Sequence, residues 1–269
     1  MKLRAPGPNT KDNVQYLAGV MQECLLEPLE DVRPGGWRGG RQAALAALAA
    51  WNPEGYARRR NDTADAGGCV SRLSPYLRHG VLGLREVAAH VERRVGRTED
   101  ALKFWAELGW REFWQRVWRH HGTAIHEDLE VPKVPLGRRE QLPEDIVTGR
   151  TGLACMDAFV RELVETGWMH NHARMWFASY VVHFRKVDWR AGARFFYQHL
   201  LDGDPASNSL SWQWVASTFS HKPYIFNREN LERHTAGVHC RVCSAACPFQ
   251  GSYGTLEARL FAGDRPHDP

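Results

Sequence analysis

Long apolar runs are missing from this sequence. The longest uninterrupted one, Ala43 to Trp51, is rich in alanine and falls far short of the roughly 20 residues that cross a bilayer as a helix. The opening stretch, MKLRAPGPNTKD, carries Lys2 and Arg4 but has no apolar core behind them and no small-residue cleavage pattern. It therefore lacks the features of a secretory signal, and the expected location is the cytoplasm, away from any membrane. Short alternating apolar strands with Gly-rich turns are absent. So is a Gly-rich loop placed after a strand, which removes support for a βαβ dinucleotide-binding unit. No internal repeat or low-complexity tract occurs. Charge of one sign is also scarce: 35 Lys and Arg against 31 Asp and Glu leave a formal +4, too little to establish nucleic-acid binding by itself. Cysteine is sparse as well. Six in 269 residues are too few for a disulfide scaffold, and the crowding of three into Cys240, Cys243 and Cys247 points, in a reducing compartment, to a metal before a disulfide.

What is present is an ordinary globular composition, 43% hydrophobic and 25% charged, enough for one large domain or two small ones. Apolar residues recur at i, i+3 and i+4 in Leu84 to Val95, Ala101 to Trp118, Cys155 to Glu165 and His172 to Phe184. The expected fold class is therefore all-α. Breakers place joints at Pro34-Gly35-Gly36, Asn61 to Gly68, Val131 to Pro143 and Asp202 to Pro205. Residues 1–32 read as an N-terminal extension, partly helical between Asn13 and Leu26, and 33–269 as the helical domain. Eleven tryptophans are a high number that core packing alone could absorb.

Three segments carry candidate chemistry. Within Phe104 to Trp114, a helix sets Glu107, Trp110 and Arg111 at i, i+3 and i+4, so a carboxylate, a flat aromatic and a guanidinium share a face; a surface ion pair beside a core Trp has the same spacing. Within Thr166 to Met175, Asn171, Arg174 and Met175 share a face that suits a planar polar ligand. The third segment runs from Asp202 and Asp204, near a helix start, through Asn208 to Trp212 and Trp214. Trp212 lies on the Asn208 face, and Trp214 is turned away from Trp212 by about 200°.

Taken together, these segments resemble the FAD-binding domain of the photolyase and cryptochrome family, from about Trp37 to Tyr224. The strings that carry the likeness are Val70-Ser71-Arg72-Leu73-Ser74-Pro75-Tyr76-Leu77, Trp110-Arg111-Glu112-Phe113, Trp168-Met169-His170-Asn171, and Asp202-Gly203-Asp204 through Trp212-Gln213-Trp214. The resemblance implies that Tyr56, Ser71, Leu73 and Ser74 hold the FAD diphosphate, hydroxyls and N–H groups at a helix start being suited to phosphate oxygens. Val70 stands where the family usually has Thr. Arg111, Arg174, Asp202 and Asp204 would surround the isoalloxazine, Arg174 pairing with Asp202, and Asn208 would sit beside flavin N5 as a neutral neighbour that tunes its redox chemistry. Glu107, Trp110, Asn171, Met175 and Trp214 match the family's pocket for a flipped cyclobutane pyrimidine dimer. Relatives that repair the (6-4) photoproduct typically carry His where Asn171 stands, so Asn171 favours the cyclobutane lesion, with His170 and His172 beside it keeping the other open.

The implied activity is light-driven repair of UV-damaged DNA by a monomer; the alternatives are a cryptochrome-like flavin photoreceptor and a zinc-stabilised helical nucleic-acid module without flavin. Trp212 and Trp189 match the inner two tryptophans of the family's electron-transfer chain. The outer one has no counterpart, since no Trp lies between Trp118 and Trp168; either another residue such as Trp176 or a Tyr completes the path, or the chain is rerouted. The stretch before Trp37 is too short for the family's α/β antenna domain, so no antenna chromophore is expected in this chain. Arg58, Arg59, Arg60, Arg138, Arg139, Lys222 and Arg228 are candidates for phosphate contacts and equally fit a solvated surface.

The tail reads Cys240-x-x-Cys243-x-x-x-Cys247-Pro248, three soft ligands that need a fourth. Spacing alone divides between zinc, an iron–sulfur cluster and free thiols. With Gly149 to Asp157, however, this tail resembles the bacterial iron–sulfur photolyases and cryptochromes, which implies Cys155 as the fourth ligand of a 4Fe-4S cluster. The Cys243 to Cys247 loop is shorter than in those relatives. Such a cluster would tie the tail to the helix near Cys155 in a structural role, leaving Cys24 and Cys69 as ordinary thiols.

Overall fold

The computed structural model describes residues 36–64 and 69–262, together with Asp12, Gln15 and Tyr16. The expected helix between Asn13 and Leu26 lies outside the described residues except for Gln15 and Tyr16, which are helical; Cys24 and residues 65–68 also lie outside them. Contacts divide the chain into two units, 1–37 and 38–269, and the second holds the helical body.

Among the described residues the α-helices are α1 Arg41–Ala50, α2 Tyr56–Arg59, α3 Ser74–Arg78, α4 Leu84–Val95, α5 Glu99–His121, α6 Glu144–Val147, α7 Ala154–Thr166, α8 Asn171–Ser179, α9 Trp189–His199, α10 Pro205–Ala216, α11 Arg228–His234 and α12 Tyr253–Phe261. A 3₁₀ turn, Gly122–His126, follows α5, and α8 runs on into a π-helical turn, Tyr180–Phe184. Among the same residues, β structure consists of one isolated bridge, Arg139 with Val187. The all-α class expected from the periodicity is the one observed. No described helix is long and apolar enough to cross a membrane.

Local chemistry accounts for the helix ends. The α5 helix opens on Glu99 and Asp100 and closes on Arg119, His120 and His121, each sign placed at the end of the helix dipole that it stabilises. Asp188, Asp204, Asn227 and Ser252 cap α9, α10, α11 and α12 by accepting from backbone N–H groups. Pro205 follows Asp204 at the first helical position, where its missing N–H takes nothing from the ladder. Asp100 reaches out of α5 to accept from the N–H groups of Gly55 and Ala57, both at 2.8 Å. That cap docks α2 on α5 and sets Tyr56 edge-on to Phe104, with ring centroids 5.2 Å apart.

The core is built on α7 to α10, with Trp176, Trp189 and Trp212 its largest fully buried side chains. The most extensive helix contact is α9 on α10. Gly192 makes it possible: a methyl group there would overlap the Trp212 ring. The tail joins the core through the buried Phe249, whose ring centroid is 4.5 Å from Phe226 and 5.0 Å from Phe184.

Candidate functional site

Two loops meet at the centre of the candidate site. Arg78 Nε donates to Gly203 O at 2.7 Å and the His79 ring bonds Leu201 O at 3.0 Å, so the turn holding Ser71, Leu73 and Ser74 is docked on the Asp202 to Asp204 loop. In that turn Ser71 Oγ accepts from Leu73 N at 3.3 Å. Arg72 adopts a left-handed backbone, φ 51°, with its guanidinium 4.3 Å from the Trp168 ring centre. No side chain caps α3; of the residues beside Ser74, Leu73 has its N–H taken by Ser71 Oγ and Pro75 has none to offer. Tyr56 is buried, and burial first, then the Glu107 carboxylate, pushes its phenol well above the ordinary range. A residue of the expected diphosphate set thus lies near one of the expected lesion set.

Arg174 donates to Asp202 Oδ2 at 2.8 Å and to Met169 O at 2.8 Å, the pairing that the resemblance implies. The other carboxylate oxygen, Asp202 Oδ1, is buried without a hydrogen-bond partner. Such an atom costs about 1–3 kcal/mol while unsatisfied, and it is an acceptor ready for a ligand N–H such as a flavin ring presents. The Asn208 amide is oriented by donating to Ala193 O at 2.7 Å. Asp204 Oδ2 accepts from Ser207 N at 3.0 Å, Ser207 Oγ at 2.6 Å and Gln115 Nε2 at 2.7 Å, with Arg111 at 3.8 Å. The Ser207 contacts are those of a helix cap, and Gln115 and Arg111 reach the same carboxylate from α5. Gln115 escapes sequence reasoning because only tertiary packing brings it to a residue 89 positions away.

The expected lesion residues stand on three helices, of which α10 packs against both α5 and α8. On α5, Glu107 is paired with Lys103 at 2.9 Å and with Arg60 at 3.5 Å, so Arg60 belongs beside this carboxylate. On α8, Asn171 Nδ2 approaches Met175 Sδ at 3.8 Å. Trp110 and Trp214 are 50% and 38% exposed, unusual for the largest apolar side chain and fitting for a ring that waits for a partner. Trp110 stacks on Trp114 at 5.5 Å, which meets Phe219 at 5.9 Å. The i+4 spacing from Trp110 is the available sequence signal for Trp114; nothing local marks Phe219.

Trp212 and Trp189 are both buried, and Gly192, one turn beyond Trp189 on α9, lies against the Trp212 ring. Trp176 stacks on His172 at 4.2 Å and on Phe159 at 5.9 Å and donates to Asn230.

Cys155, Cys240, Cys243 and Cys247 line one cavity of about 40 Å³ with Leu153, Arg228, Leu231, His239, Ala245 and Phe249. Burial pushes the Cys155 thiol up to about 12, the other three cysteines adding to the rise. Among the described residues, no group of three or more His, Cys, Asp or Glu is arranged to hold a metal ion. Arg228 lines the cavity and pairs with Glu232 at 2.9 Å, an arrangement that already occupies its charge. Cys69 is buried outside any disulfide, and its carbonyl accepts from the Trp51 indole at 3.1 Å.

Residues 104–236 match the family described as the FAD binding domain of DNA photolyase. The chain is 38% identical over 201 residues to the deoxyribodipyrimidine photo-lyase of a Synechococcus strain, covering 70% of this chain and 41% of that protein. It is 36% identical over 195 residues to that of Streptomyces griseus, covering 71% and 42%. Among solved structures, a bacterial class III photolyase from Agrobacterium tumefaciens superimposes with a TM-score of 0.63 at 29% identity, covering 77% of this chain and 45% of that one. A Synechocystis cryptochrome does so with a TM-score of 0.70 at 25% identity, covering 90% and 50%. The chain thus spans about two fifths of the length of these curated relatives (41% and 42%). An all-helical body, an Arg174–Asp202 pair with one carboxylate oxygen left open, and these likenesses agree: the chain belongs to the photolyase and cryptochrome family through its FAD-binding domain.

Proposed function

We propose that the protein carries FAD among α2, α3, α5, α8 and α10 and repairs cyclobutane pyrimidine dimers in DNA under light. When bound and reduced, the flavin supplies a light-driven electron to the dimer and takes it back after the ring opens. The chain's own residues do the rest. Tyr56, Ser71, Leu73 and Ser74 hold the diphosphate, while Arg174 holds Asp202 so that its free oxygen accepts from the flavin ring. Asn208, oriented by Ala193 O, presents a neutral amide at the ring edge, and Arg111 adds positive charge beside the Asp204 cap. Glu107 and Asn171 receive the pyrimidine edges, Met175 fills the space beside Asn171, and the exposed faces of Trp110 and Trp214 exclude water from the apolar side of the flipped dinucleotide. The buried, unpartnered Asp202 Oδ1 beside Arg174 is the observation that carries the reading. The test is to illuminate flavin-loaded, reduced protein with a dimer-containing oligonucleotide. Loss of the lesion in the light alone is the expected result, and persistence of the lesion with FAD bound overturns the repair reading.

The four-cysteine cavity is read as the seat of a 4Fe-4S cluster held by Cys155, Cys240, Cys243 and Cys247. Thiols from two distant segments around one small cavity support it, and a metal binds such thiols in their deprotonated form. Its role is structural, joining the tail to the start of α7. Metal analysis decides the point: iron with inorganic sulfide is the expectation for four-cysteine ligation of this kind, and zinc in place of iron overturns the cluster while leaving the flavin reading intact. The protein is read as a cytoplasmic monomer whose partner is UV-damaged DNA.

A further inference from the structure

The indole N–H of Trp189 donates to Asp128 Oδ1 at 2.7 Å. Trp189 is buried, yet it and Asp128 help line a groove of about 410 Å³, with Leu136, Arg138 and Asp188 among the other walls. The Asp128 side chain is 33% exposed there, so its carboxylate bridges the buried indole and solvent. Arg190 lies 5.0 Å over the Trp189 ring and is shared by three carboxylates, Glu127 at 2.8 Å, Asp188 at 3.1 Å and Asp128 at 3.2 Å. Of these, Asp188 is occupied in capping α9, and Glu127 meets Arg190 at the surface. The indole proton is in contact with Asp128.

From this geometry we propose that Asp128 is the base that takes the Trp189 proton when that tryptophan is oxidised. The proposal rests on the reading of Trp212 and Trp189 as the inner members of an electron path to the flavin. One electron leaves Trp212 for light-excited oxidised flavin, and one electron from Trp189 refills Trp212, leaving a Trp189 radical cation. The N–H bond then breaks, its electron pair stays on the indole nitrogen, and the proton passes along the hydrogen bond to the Asp128 carboxylate and out through the groove. A neutral Trp189 radical remains. The guanidinium over the ring disfavours positive charge on the indole, and the carboxylate already touches the proton it receives. A soluble thiol completes the cycle by giving up one hydrogen atom, as an electron and a proton, to the neutral radical.

The experiment is laser-flash absorption on the full chain loaded with oxidised FAD, in the absence of thiol, resolving the cation and neutral forms of the tryptophan radical. In the native protein, conversion of cation to neutral radical proceeds at a rate independent of buffer-base concentration. In Asp128→Asn, which keeps an oxygen acceptor and removes the base, that conversion slows roughly 10²-fold and charge recombination takes over; in Asp188→Asn it does not slow. A native rate that climbs in proportion to buffer base overturns the proposal, whether or not the variants fold, and so does unchanged conversion in Asp128→Asn. Trp189→Phe separates the two layers. If it abolishes the long-lived radical while Asp128→Asn leaves conversion untouched, only the role of Asp128 falls; if Trp189→Phe retains the radical, the electron path fails and takes the proposal with it.

Discussion

A buried carboxylate with one oxygen paired and the other open is costly on its own and useful beside a ligand. Asp202 is in that position, Oδ2 committed to Arg174 and Oδ1 left open. Asp202→Asn replaces the anion by an amide that offers N–H where the flavin ring also offers N–H. The expected outcome is weaker FAD binding by about 1–3 kcal/mol, roughly five- to 150-fold in Kd, read by flavin fluorescence titration with the helical circular dichroism unchanged. Asp204, two residues on, is held by Ser207 and Gln115. The family resemblance places both acids at the flavin, and a one-dimensional pattern does not register which oxygen the helix itself consumes.

At the scale of the helix, the contact of α9 with α10 decides where Trp212 sits. Gly192 lies directly against the Trp212 ring, so Gly192→Ala forces the ring or the helix to move. Overpacking of this kind costs about 1–3 kcal/mol, against which the better helix propensity of Ala returns about 1 kcal/mol at most. A net loss of stability in urea unfolding is therefore expected, together with altered tryptophan fluorescence. The element boundaries follow how local their causes are. Leu84–Val95 agrees end to end with its periodicity, and the stretch Ala101 to Trp118 extends to Glu99–His121, between Thr98 and Gly122. The expected helix His172 to Phe184 begins one residue earlier and loosens into a π turn from Tyr180. Packing decides that change, because the same apolar spacing satisfies both kinds of turn. In the π turn the buried His183 bonds Val215 O of α10 at 2.9 Å, a partner 32 residues away.

For the whole molecule, acid is an informative perturbation. Burial above all lowers His170, His172 and His183 to about 4 from an ordinary 6.5. Each is neutral when folded in that window and takes up a proton on unfolding, so the unfolded state binds more protons and stability falls as pH drops from about 6.5 toward 4. The urea midpoint followed across that range should decline, and less steeply in His183→Gln, which has no ring to titrate. A second perturbation is loss of the tail's anchor. If the four cysteines hold the proposed cluster, Cys155→Ser is expected to release its metal and to open the segment around Cys240 to Cys247 to limited proteolysis, while Phe249, packed on Phe226, keeps the rest of the core in place. The amino-acid sequence by itself determined the helical class, through a period that each segment carries alone, and the choice of candidate flavin, lesion and cysteine residues, through strings that stay together along the chain. Only the tertiary structure decided that Cys155 and the tail cysteines share a cavity, that a buried oxygen stays open on Asp202 while Asp204 caps α10, and that Asp128 meets Trp189 across 61 residues. The physical reason is range: periodicity and capping act within a turn or two of helix, whereas the partner of a buried polar atom is set by whichever distant element packing brings to it.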